Sequence, residues 1–515
     1  MKAFLAGERA EIRASCLIIC SIAVSFVNLH CGWFFCNYIT NHFVKFSCCG
    51  KVNVFCWLVT VCCVFGLLRD AWALAIETLS WMDMRKLSER LAFTRTVKQL
   101  GIRDSDALRL ALMLILETVK RRNLIDKFIN TVLKPSSLED FDLGVQAFLR
   151  LYVYQTRLAS SRTETVSFEE AENIAKLARS ILGWKTLQEV EPFLGLLLTQ
   201  KISTVLDNAS DEERIGLLTF HPTWFVKYCF RIFGRTETIT MFEADKRALP
   251  TYIRLNTLKA DENTIMQKLA EEGVKTEKVE QLKFAHKVIQ TKTPLTKTES
   301  HKQGLFYIQD KASCFAAEAA DPKPKTTVLD VCAAPGAKTT YLAQLMQNQG
   351  TIISLDYSRR RMSVWKDETR HMDTANAEPI IANACKPLPF QTEADLVILD
   401  PPCTSTGTFA RLPSSKWRIT PRSIDRMAAI QWQMLNNCTN HVKQDGMLIY
   451  STCSITVEEN EMQIERFLKH HSDFQLVPIT PKIGVSGMRG LDICQRLYPH
   501  LHECNGFFIA KLQRK

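Results

Sequence analysis

The hydrophobic pattern of the chain divides it into stretches of different character. Between Leu68 and about Ala209, apolar residues recur at intervals of three and four, as they do across 68–79 and 108–116. This spacing places them on one face of a helix. The pattern therefore predicts an all-helical domain over residues 68–210.

The pattern changes near Phe220 and again at Gly304. Residues 211–303 combine a helical stretch, an extended stretch at 251–257 and a polar loop, which predicts a small α+β module. From Gly304 onward, short apolar runs alternate with helical segments. This alternation predicts an α/β domain over 304–515 with a mainly parallel sheet.

The leader, residues 1–67, differs in composition from the rest of the chain. Its two apolar runs, 16–27 and 52–68, are respectively too short and marginal for crossing a bilayer. Three interpretations are open: a membrane anchor or hairpin, a buried extension, or an upstream extension of the gene model that is not functional protein. Because its richness in Cys, Phe and Val resembles nothing downstream, we favour the third and expect membrane association only if the leader is real.

Charge and cysteine usage narrow the class of protein. The formal charge of +11 favours an anionic partner, of which nucleic acid is the usual one. Of the 18 cysteines, nine precede residue 69, and the others are scattered without paired spacing. No CxxC pair or His/Cys cluster has the spacing of a structural zinc site. We therefore expect reduced thiols, no disulfides and no metal in a cytoplasmic protein.

One strand-to-helix turn has the features of a nucleoside site. The strand 327–331 runs into the small residues of 332–338, which let the backbone approach a ligand closely. The turn lacks the three glycines of a dinucleotide site and the lysine motif of a phosphate loop. The next strand, 351–355, ends in Asp356, where a carboxylate can hold ribose hydroxyls. S-adenosylmethionine is the expected cofactor, and an ordinary αβ turn followed by a strand-end aspartate is the alternative.

Two cysteines fifty positions apart each follow a predicted buried strand. Cys403 follows the strand at 396–399, and Cys453 follows the strand at 447–452. In an open α/β sheet, ligands bind at the edge formed by the carboxyl ends of the strands. A thiolate is a strong nucleophile, although a single cysteine at a strand end is more often a small buried hydrophobe. The pair predicts covalent chemistry with two roles that the pattern alone leaves unassigned.

These motifs resemble those of the RsmB/NOP/Sun family of RNA 5-methylcytosine methyltransferases. The principal motifs are CAAPGAK at 332–338, DPPC at 400–403 with STGT following, and STCS at 451–454 with Glu458-Glu459-Asn460-Glu461 following. Supporting motifs are Phe220–Trp224, Arg254–Asn256, Gln309–Ser313 and Asn505–Ala510. The match runs in order from about residue 220 to the end. The helical stretch before it is similar to the NusB-like RNA-binding domain that precedes the catalytic part in RsmB.

The resemblance implies a fold and a set of catalytic roles. The expected architecture is an all-α NusB-like domain, a small α+β RNA-recognition module and a class I (Rossmann-like) methyltransferase domain. Cys453 is implied to be the nucleophile that adds to cytosine C6, and Cys403 to assist proton removal and product release. Asp400 is implied to help protonate the ring, a type of assistance worth ~10²–10⁴-fold.

The resemblance also implies the cofactor contacts. They fall on Cys332, Ala333, Ala334, Pro335, Gly336, Ala337, Lys338, Asp356, Arg361, Asn383 and Asp400. Asn383 departs from the family pattern, which usually has an aspartate there. An amide both donates and accepts hydrogen bonds, so we expect an altered contact to adenine rather than lost binding. Ala337 stands in place of a second glycine, which is tolerable if the backbone there is helical.

A basic stretch after Cys403 is the candidate RNA surface. The proposed contacts are Arg411, Lys416, Trp417, Arg418 and Arg422. Cations can bind phosphates and an aromatic ring can stack on an extruded base. A solvated basic loop is the alternative interpretation.

The expected function is methylation of cytosine C5 in RNA by a monomeric enzyme, with ribosomal RNA as the first choice of substrate and transfer RNA as the second. Two other classes remain open. A DNA cytosine-C5 methyltransferase would take its nucleophile from the Pro-Cys motif. A non-catalytic RNA-binding or ribosome-assembly factor would need neither thiol.

Overall fold

The structure, a computed structural model, describes residues 53–159, 166–207 and 209–515. The apolar run at 16–27 lies outside the described residues. The chain divides into two units, the first ending at Val226 and the second beginning at Lys227. The domain boundaries expected at 210/211 and 303/304 stay predictions.

Helices build the described part of the first unit, as the spacing of apolar residues predicts. They are α1 Asn53–Arg85, α2 Glu89–Leu100, α3 Ser105–Lys120, α4 Arg122–Val132, α5 Leu143–Val153, α6 Phe168–Leu182, α7 Trp184–Leu187, α8 Glu191–Thr199 and α9 Asp211–Thr219, followed by α10 Thr223–Phe233, which crosses the division. Helix α1 begins at Asn53, not near Leu68 as expected, because the second apolar run continues the helix. Within the described ranges, no helix is both long and apolar enough to cross a membrane.

A buried ion cluster joins α1, α4 and α5 in the first unit. The Arg150 side chain is 5% exposed and lies 2.7 Å from Asp83 and 2.6 Å from Asp126. Arg122 adds a second cation to Asp83 at 2.5 Å. Because two carboxylates face two guanidinium groups, the buried charges are compensated, and the arrangement specifies how the three helices meet.

The second unit begins with a small antiparallel sheet. Its strands are β1 Tyr252–Leu255, β2 Val274–Lys278, β3 Ala285–Thr291 and β4 Phe306–Ile308, in the order β2-β3-β1-β4. Helices α11 Arg235–Asp245, α12 Glu262–Glu271 and α13 Glu299–Lys302 accompany these strands. The α+β character of this region agrees with the prediction. Strand β4 lies beyond the boundary expected at 303/304, because its backbone completes this sheet by pairing with β1.

A nine-stranded sheet forms the rest of the second unit. Its strands are β5 Thr327–Val331, β6 Thr351–Asp356, β7 Ala377–Ile381, β8 Ala394–Leu399, β9 Val442–Thr452, β10 Phe474–Leu476, β11 Val485–Ser486, β12 Gln495–Leu497 and β13 Phe507–Arg514. The order is β11-β12-β13-β9-β8-β5-β6-β7, with β10 beside β13. Strands β5 to β9 pair with one another in parallel, and the later strands add antiparallel pairs, including that of β13 with β9.

Helices alternate with many of the strands of this sheet along the chain. They are α14 Lys311–Ala320, α15 Ala337–Leu345, α16 Arg359–His371, α17 Ser415–Arg418, α18 Pro421–Cys438, α19 Glu461–His470 and α20 Pro499–His502. Buried apolar residues form one cluster that includes α14 and α15 and another that includes α18 and α19. Because a strand that is covered on both faces has no polar side to expose, its sequence is a continuous apolar run, as at 396–399.

The register of the parallel strands aligns their carboxyl ends. Val331 at the end of β5 pairs with Leu355 of β6 on one side and Leu399 of β8 on the other. Leu399 in turn pairs with Tyr450 of β9. The loops that follow β5, β6, β8 and β9 therefore leave the sheet at one edge.

Candidate active site

The turn after β5 brings backbone rather than side chains to the edge of the sheet. Cys332 has a φ of 67° and Gly336 a φ of 118°, both in the region that favours glycine. A Cβ atom on Gly336 would lie 3.3 Å from the Trp365 ring, so the position is also tight. Helix α15 begins at Ala337, and the backbone there is helical, as the substitution for glycine requires.

The end of β6 is tied to this turn through an arginine. Asp356 is 1% exposed, and its carboxylate accepts from the Ser358 backbone N–H at 2.9 Å. Arg361 Nη1 lies 3.0 Å from Asp356 Oδ2, and its other terminal nitrogen donates to the carbonyl of Ala334. Arg361 thus positions both the carboxylate and the turn.

Asn383 lies beyond β7 in a loop. The strand ends at Ile381. Asn383 is exposed, and its side-chain oxygen accepts from the Cys385 backbone N–H at 3.0 Å. The amide nitrogen is the part of this side chain that can donate to a ligand.

Asp400, directly after β8, is held from two sides. Lys338 Nζ lies 2.5 Å from its Oδ2, and Ser451 donates to its Oδ1 at 3.2 Å. Burial alone would lower the pKa of Lys338, but the charge and hydrogen bond of Asp400 outweigh it and the net shift is upward. Lys338 is therefore cationic and orients the carboxylate.

The two cysteines predicted to act together are in contact. Cys403 Sγ lies 3.2 Å from Cys453 Sγ. A hydrogen bond from the Cys403 thiol lowers the pKa of Cys453 below its ordinary value, and the same shared proton raises the pKa of Cys403. The hydrogen bond thus favours the thiolate on Cys453, and the thiolate is the form in which a cysteine acts as a nucleophile.

A buried glutamate that the sequence analysis left without a role connects the two cysteine loops. Glu459 is fully buried, and its carboxylate accepts from the backbone and hydroxyl of Thr404 after Cys403. It also accepts from Ser454 at 2.6 Å and Thr456 at 2.8 Å after Cys453, and from Gln431 at 2.9 Å. The available signal was the group of three glutamates in 458–461, which begins six residues after the buried strand β9 ends.

Two glycines bring a third loop against the cysteines. The Gly407 N–H donates to the Cys453 carbonyl at 3.0 Å, and the Gly506 N–H donates to the Gly407 carbonyl at 2.7 Å. A Cβ atom on Gly407 would lie 2.3 Å from the Gly506 carbonyl oxygen. Only glycine fits here, so the small residues of these motifs serve close backbone packing.

The candidate RNA contacts are not all at the surface. Lys416 is 2% exposed, and Arg411 donates to the Pro250 carbonyl at 2.5 Å and lies 3.4 Å from Asp310. Their position differs from the expected surface patch because both side chains pack into the second unit. Arg418 and Arg422 are exposed, and Trp417 is half-buried.

Comparison with known proteins identifies the class of this site. Residues 317–513 match the family model of the 16S rRNA methyltransferase RsmB/F, and residues 221–292 match that of the RsmF/B-like ferredoxin-like domain. The chain is 27% identical over 455 residues to the probable ribosomal RNA small subunit methyltransferase B of Bacillus subtilis, with 86% of this chain and 98% of the relative covered. Residues 221–513 therefore carry the domains of the RsmB/F methyltransferase family.

Two further comparisons support the RsmB/F assignment. The 25S rRNA (cytosine-C(5))-methyltransferase nop2 of Schizosaccharomyces pombe is 32% identical over 303 residues, which cover 55% of this chain and 49% of the relative. The solved structure of PH0851 matches with a TM-score of 0.72 and 29% identity, covering 87% of this chain and 99% of that one. The predicted family and the class I methyltransferase fold are confirmed, whereas the NusB-like assignment of the helical region stays a prediction.

Proposed function

We propose that this chain transfers a methyl group from S-adenosylmethionine to C5 of cytosine in RNA, with ribosomal RNA as the substrate. The observation that carries the proposal is the pair of thiols 3.2 Å apart, next to a loop held by Asp400 and Lys338. Relatives named as rRNA methyltransferases support the choice of substrate. The formal charge of +11 is consistent with binding an RNA.

The residues around the β5 turn suit a nucleoside cofactor without a large phosphate demand. The backbone of 332–336 would pass close to the ligand, Asp356 would accept from ribose hydroxyls, and the exposed amide of Asn383 would meet the adenine edge. The ion pairs Lys338–Asp400 and Arg361–Asp356 fix the positions of the loops around this site. S-adenosylmethionine supplies an electrophilic methyl group when bound.

The thiols divide the chemistry on the base. C5 of cytosine is a poor nucleophile, so the Cys453 thiolate adds to C6, forming an S–C6 bond and moving an electron pair toward the ring nitrogen. We assign to Asp400 the relay of a proton from solvent to that nitrogen, after which C5 carries nucleophilic character. C5 would then take the methyl group, and the electron pair of the broken methyl–sulfur bond would stay on the cofactor's sulfur. Cys403, having released its own proton to solvent, accepts the C5 proton, the S–C6 bond breaks, Cys453 leaves as the thiolate, and the ring nitrogen returns its proton through Asp400.

The remaining parts of the chain have roles in binding RNA. We assign the helical region over 68–210 to a NusB-like RNA-binding domain and residues 211–303 to RNA recognition. Arg418 and Arg422 are exposed and suit phosphate contacts, and Trp417 suits stacking on an extruded base. The enzyme acts as a monomer in the cytoplasm.

The test compares alanine variants of the two cysteines on RNA with labelled S-adenosylmethionine. Cys453→Ala should abolish methyl transfer and form no covalent complex. Cys403→Ala should accumulate a covalent enzyme–RNA complex that survives denaturing electrophoresis, because product release is blocked. Cys438→Ala is the matched control, since burial raises the pKa of that thiol to about 12 and it lies 1% exposed in the core.

The outcomes separate the alternatives. A covalent complex lost in Cys403→Ala and retained in Cys453→Ala would assign the nucleophile to the Pro-Cys motif, as in a DNA cytosine-C5 methyltransferase. Absence of methyl transfer to bulk RNA by the unmodified protein would favour a non-catalytic RNA-binding factor. Bisulfite sequencing of RNA from a strain that lacks the gene distinguishes ribosomal from transfer RNA, because only the true target loses its protected cytosine.

A further inference from the structure

Ser405 has a backbone conformation that its side chain makes costly. Its φ is 57°, in the left-handed region that non-glycine residues adopt infrequently. Its carbonyl accepts from both the backbone and the hydroxyl of Thr408, at 3.0 and 2.9 Å, so the loop turns sharply here. A glycine would adopt this conformation without strain, and serine adds to glycine only a Cβ atom and a hydroxyl group.

The neighbours of Ser405 prevent the loop from relaxing. On one side, Thr404 is bonded to Glu459 through its backbone N–H at 2.8 Å and through its hydroxyl. On the other, the Thr406 hydroxyl contacts Ser454 Oγ at 2.8 Å and accepts from the Ile455 N–H at 2.9 Å. The surrounding structure thus over-determines the strained residue, an arrangement that concentrates at functional sites.

The strained turn places the Ser405 hydroxyl beside both thiols. The Cys453 thiol donates to Ser405 Oγ at 3.5 Å, and Ser405 Oγ lies 3.9 Å from Cys403 Sγ. Cys453 therefore has two hydrogen-bonding neighbours, the Cys403 thiol at 3.2 Å and the Ser405 hydroxyl. A thiolate has no proton to donate, so when Cys453 is ionised the hydroxyl is the donor.

We propose that Ser405 is a further catalytic residue, whose hydroxyl donates a hydrogen bond to the Cys453 thiolate and so prepares it for attack on C6. This role rests on the proposed function, because it concerns the same nucleophile. Two donors on one sulfur raise the fraction of thiolate near neutral pH more than one donor does. The strain of the turn places the second donor, which a glycine could not supply.

The test measures the reactivity of Cys453 without RNA or S-adenosylmethionine. Iodoacetamide alkylation is followed from pH 5 to pH 10, with tryptic peptides resolved by mass spectrometry, since cleavage at Arg418 separates Cys403 from Cys453. The variants are Ser405→Gly, which removes the hydroxyl and the strain, and Ser405→Ala, which removes the hydroxyl and keeps the Cβ atom. In both variants, the rate of Cys453 alkylation at pH 7 should fall about tenfold, because loss of one charge-assisted hydrogen bond raises the pKa of the thiol by about one unit.

Comparison of the two variants separates the hydroxyl from the backbone. If alkylation of Cys453 stays at the unmodified level in either variant, the proposal is overturned, because both lack the hydroxyl. Ser405→Gly should fold at least as stably as the unmodified chain. Asp445→Gly is the matched control, since Asp445 has a φ of 61° at an exposed position of β9 and glycine there should leave the alkylation of Cys453 unchanged.

Methyl transfer by the unmodified chain is measured in parallel. If the unmodified chain methylates RNA but the variants alkylate normally, only the role of Ser405 fails. If the unmodified chain forms no 5-methylcytosine in any RNA, the proposed function fails whatever the alkylation shows. The midpoint of the pH profile of the single-turnover methylation rate should move to higher pH in both variants. A purely structural role of Ser405 would not move this midpoint.

Discussion

Lys338 Nζ lies 2.5 Å from Asp400 Oδ2, which joins the turn after β5 to the loop that carries Cys403. The two residues are 62 positions apart, and both side chains are largely removed from water, at 12% and 31% exposure. The pair brings together the candidate cofactor turn and the candidate acid. Its contribution to activity is therefore open to direct measurement.

The first prediction concerns this pair. Asp400→Asn removes the carboxylate that relays a proton to the ring, so the single-turnover rate of methylation should fall by about 10²-fold or more. Asp395→Asn is the matched control on the same strand, because Asp395 forms a half-exposed ion pair with Lys443. That variant should retain nearly the unmodified rate. An Asp400→Asn enzyme with the unmodified rate would contradict the assignment.

The second prediction concerns Glu459. Glu459→Gln replaces a carboxylate that accepts five hydrogen bonds with a neutral amide that brings its own donors into the cluster. The free energy of unfolding should fall by about 2–3 kcal/mol, as for loss of buried charge-assisted bonds. Urea unfolding followed by tryptophan fluorescence measures the change.

Glu465→Gln is the control for Glu459. Glu465 forms an ion pair with Arg489, whose side chain is 46% exposed, and such pairs contribute less than about 1 kcal/mol. Equal destabilisation by the two substitutions would show that Glu459 has no special structural role. The expected order is a clear loss for Glu459→Gln and little change for Glu465→Gln.

The third prediction concerns the contact between Gly407 and Gly506. Gly407→Ala places a methyl group 2.3 Å from a backbone oxygen, so the two loops must separate. The free energy of unfolding should fall by about 1–3 kcal/mol, and methyl transfer should fall with it. Gly195→Ala is the control: it lies in α8 with open space around it, and alanine should stabilise that helix by up to ~1 kcal/mol.

The fourth prediction concerns the pH dependence of stability. Burial raises the pKa of Asp330 from 3.8 to about 7, although the Thr339 hydroxyl donates to it at 2.6 Å and opposes the shift. The folded state therefore binds a proton that the unfolded state has lost between about pH 4 and pH 7. The stabilisation is complete below pH 4 and is lost as the pH rises through 7.

Asp330→Asn removes this titration while keeping the shape of the side chain. Between pH 4 and pH 8, the free energy of unfolding of the variant minus that of the unmodified chain should rise by roughly 1–4 kcal/mol. Urea unfolding at several pH values measures the difference. Parallel profiles for the two proteins would show that Asp330 keeps an ordinary pKa in the fold.

Strand positions could be read from the sequence wherever burial is uniform. Residues 327–331 form β5 as predicted, because both faces of a central parallel strand are covered. Strand β7 is less regular, and its Pro379 is tolerated because β7 is at the edge of the sheet.

Burial of charged residues could not be predicted from their spacing. Lys416 and Arg411 occur in a basic run that is typical of a solvated or RNA-binding loop, yet Lys416 is 2% exposed and Arg411 contacts Asp310. Their partners come from distant segments or from the packing of the loop itself. Local sequence contains no record of such contacts.

The sequence by itself determined the family, the positions of β5 and β6 and the identity of the two thiols, because these depend on local periodicity and on short motifs. Only the tertiary structure decided that Cys403 and Cys453 are 3.2 Å apart, that Glu459 joins their loops, and that Ser405 faces both sulfurs. The contacts that join the two cysteine loops link residues 48 to 55 positions apart. They arise from the register of β8 against β9, which forms only when the sheet assembles.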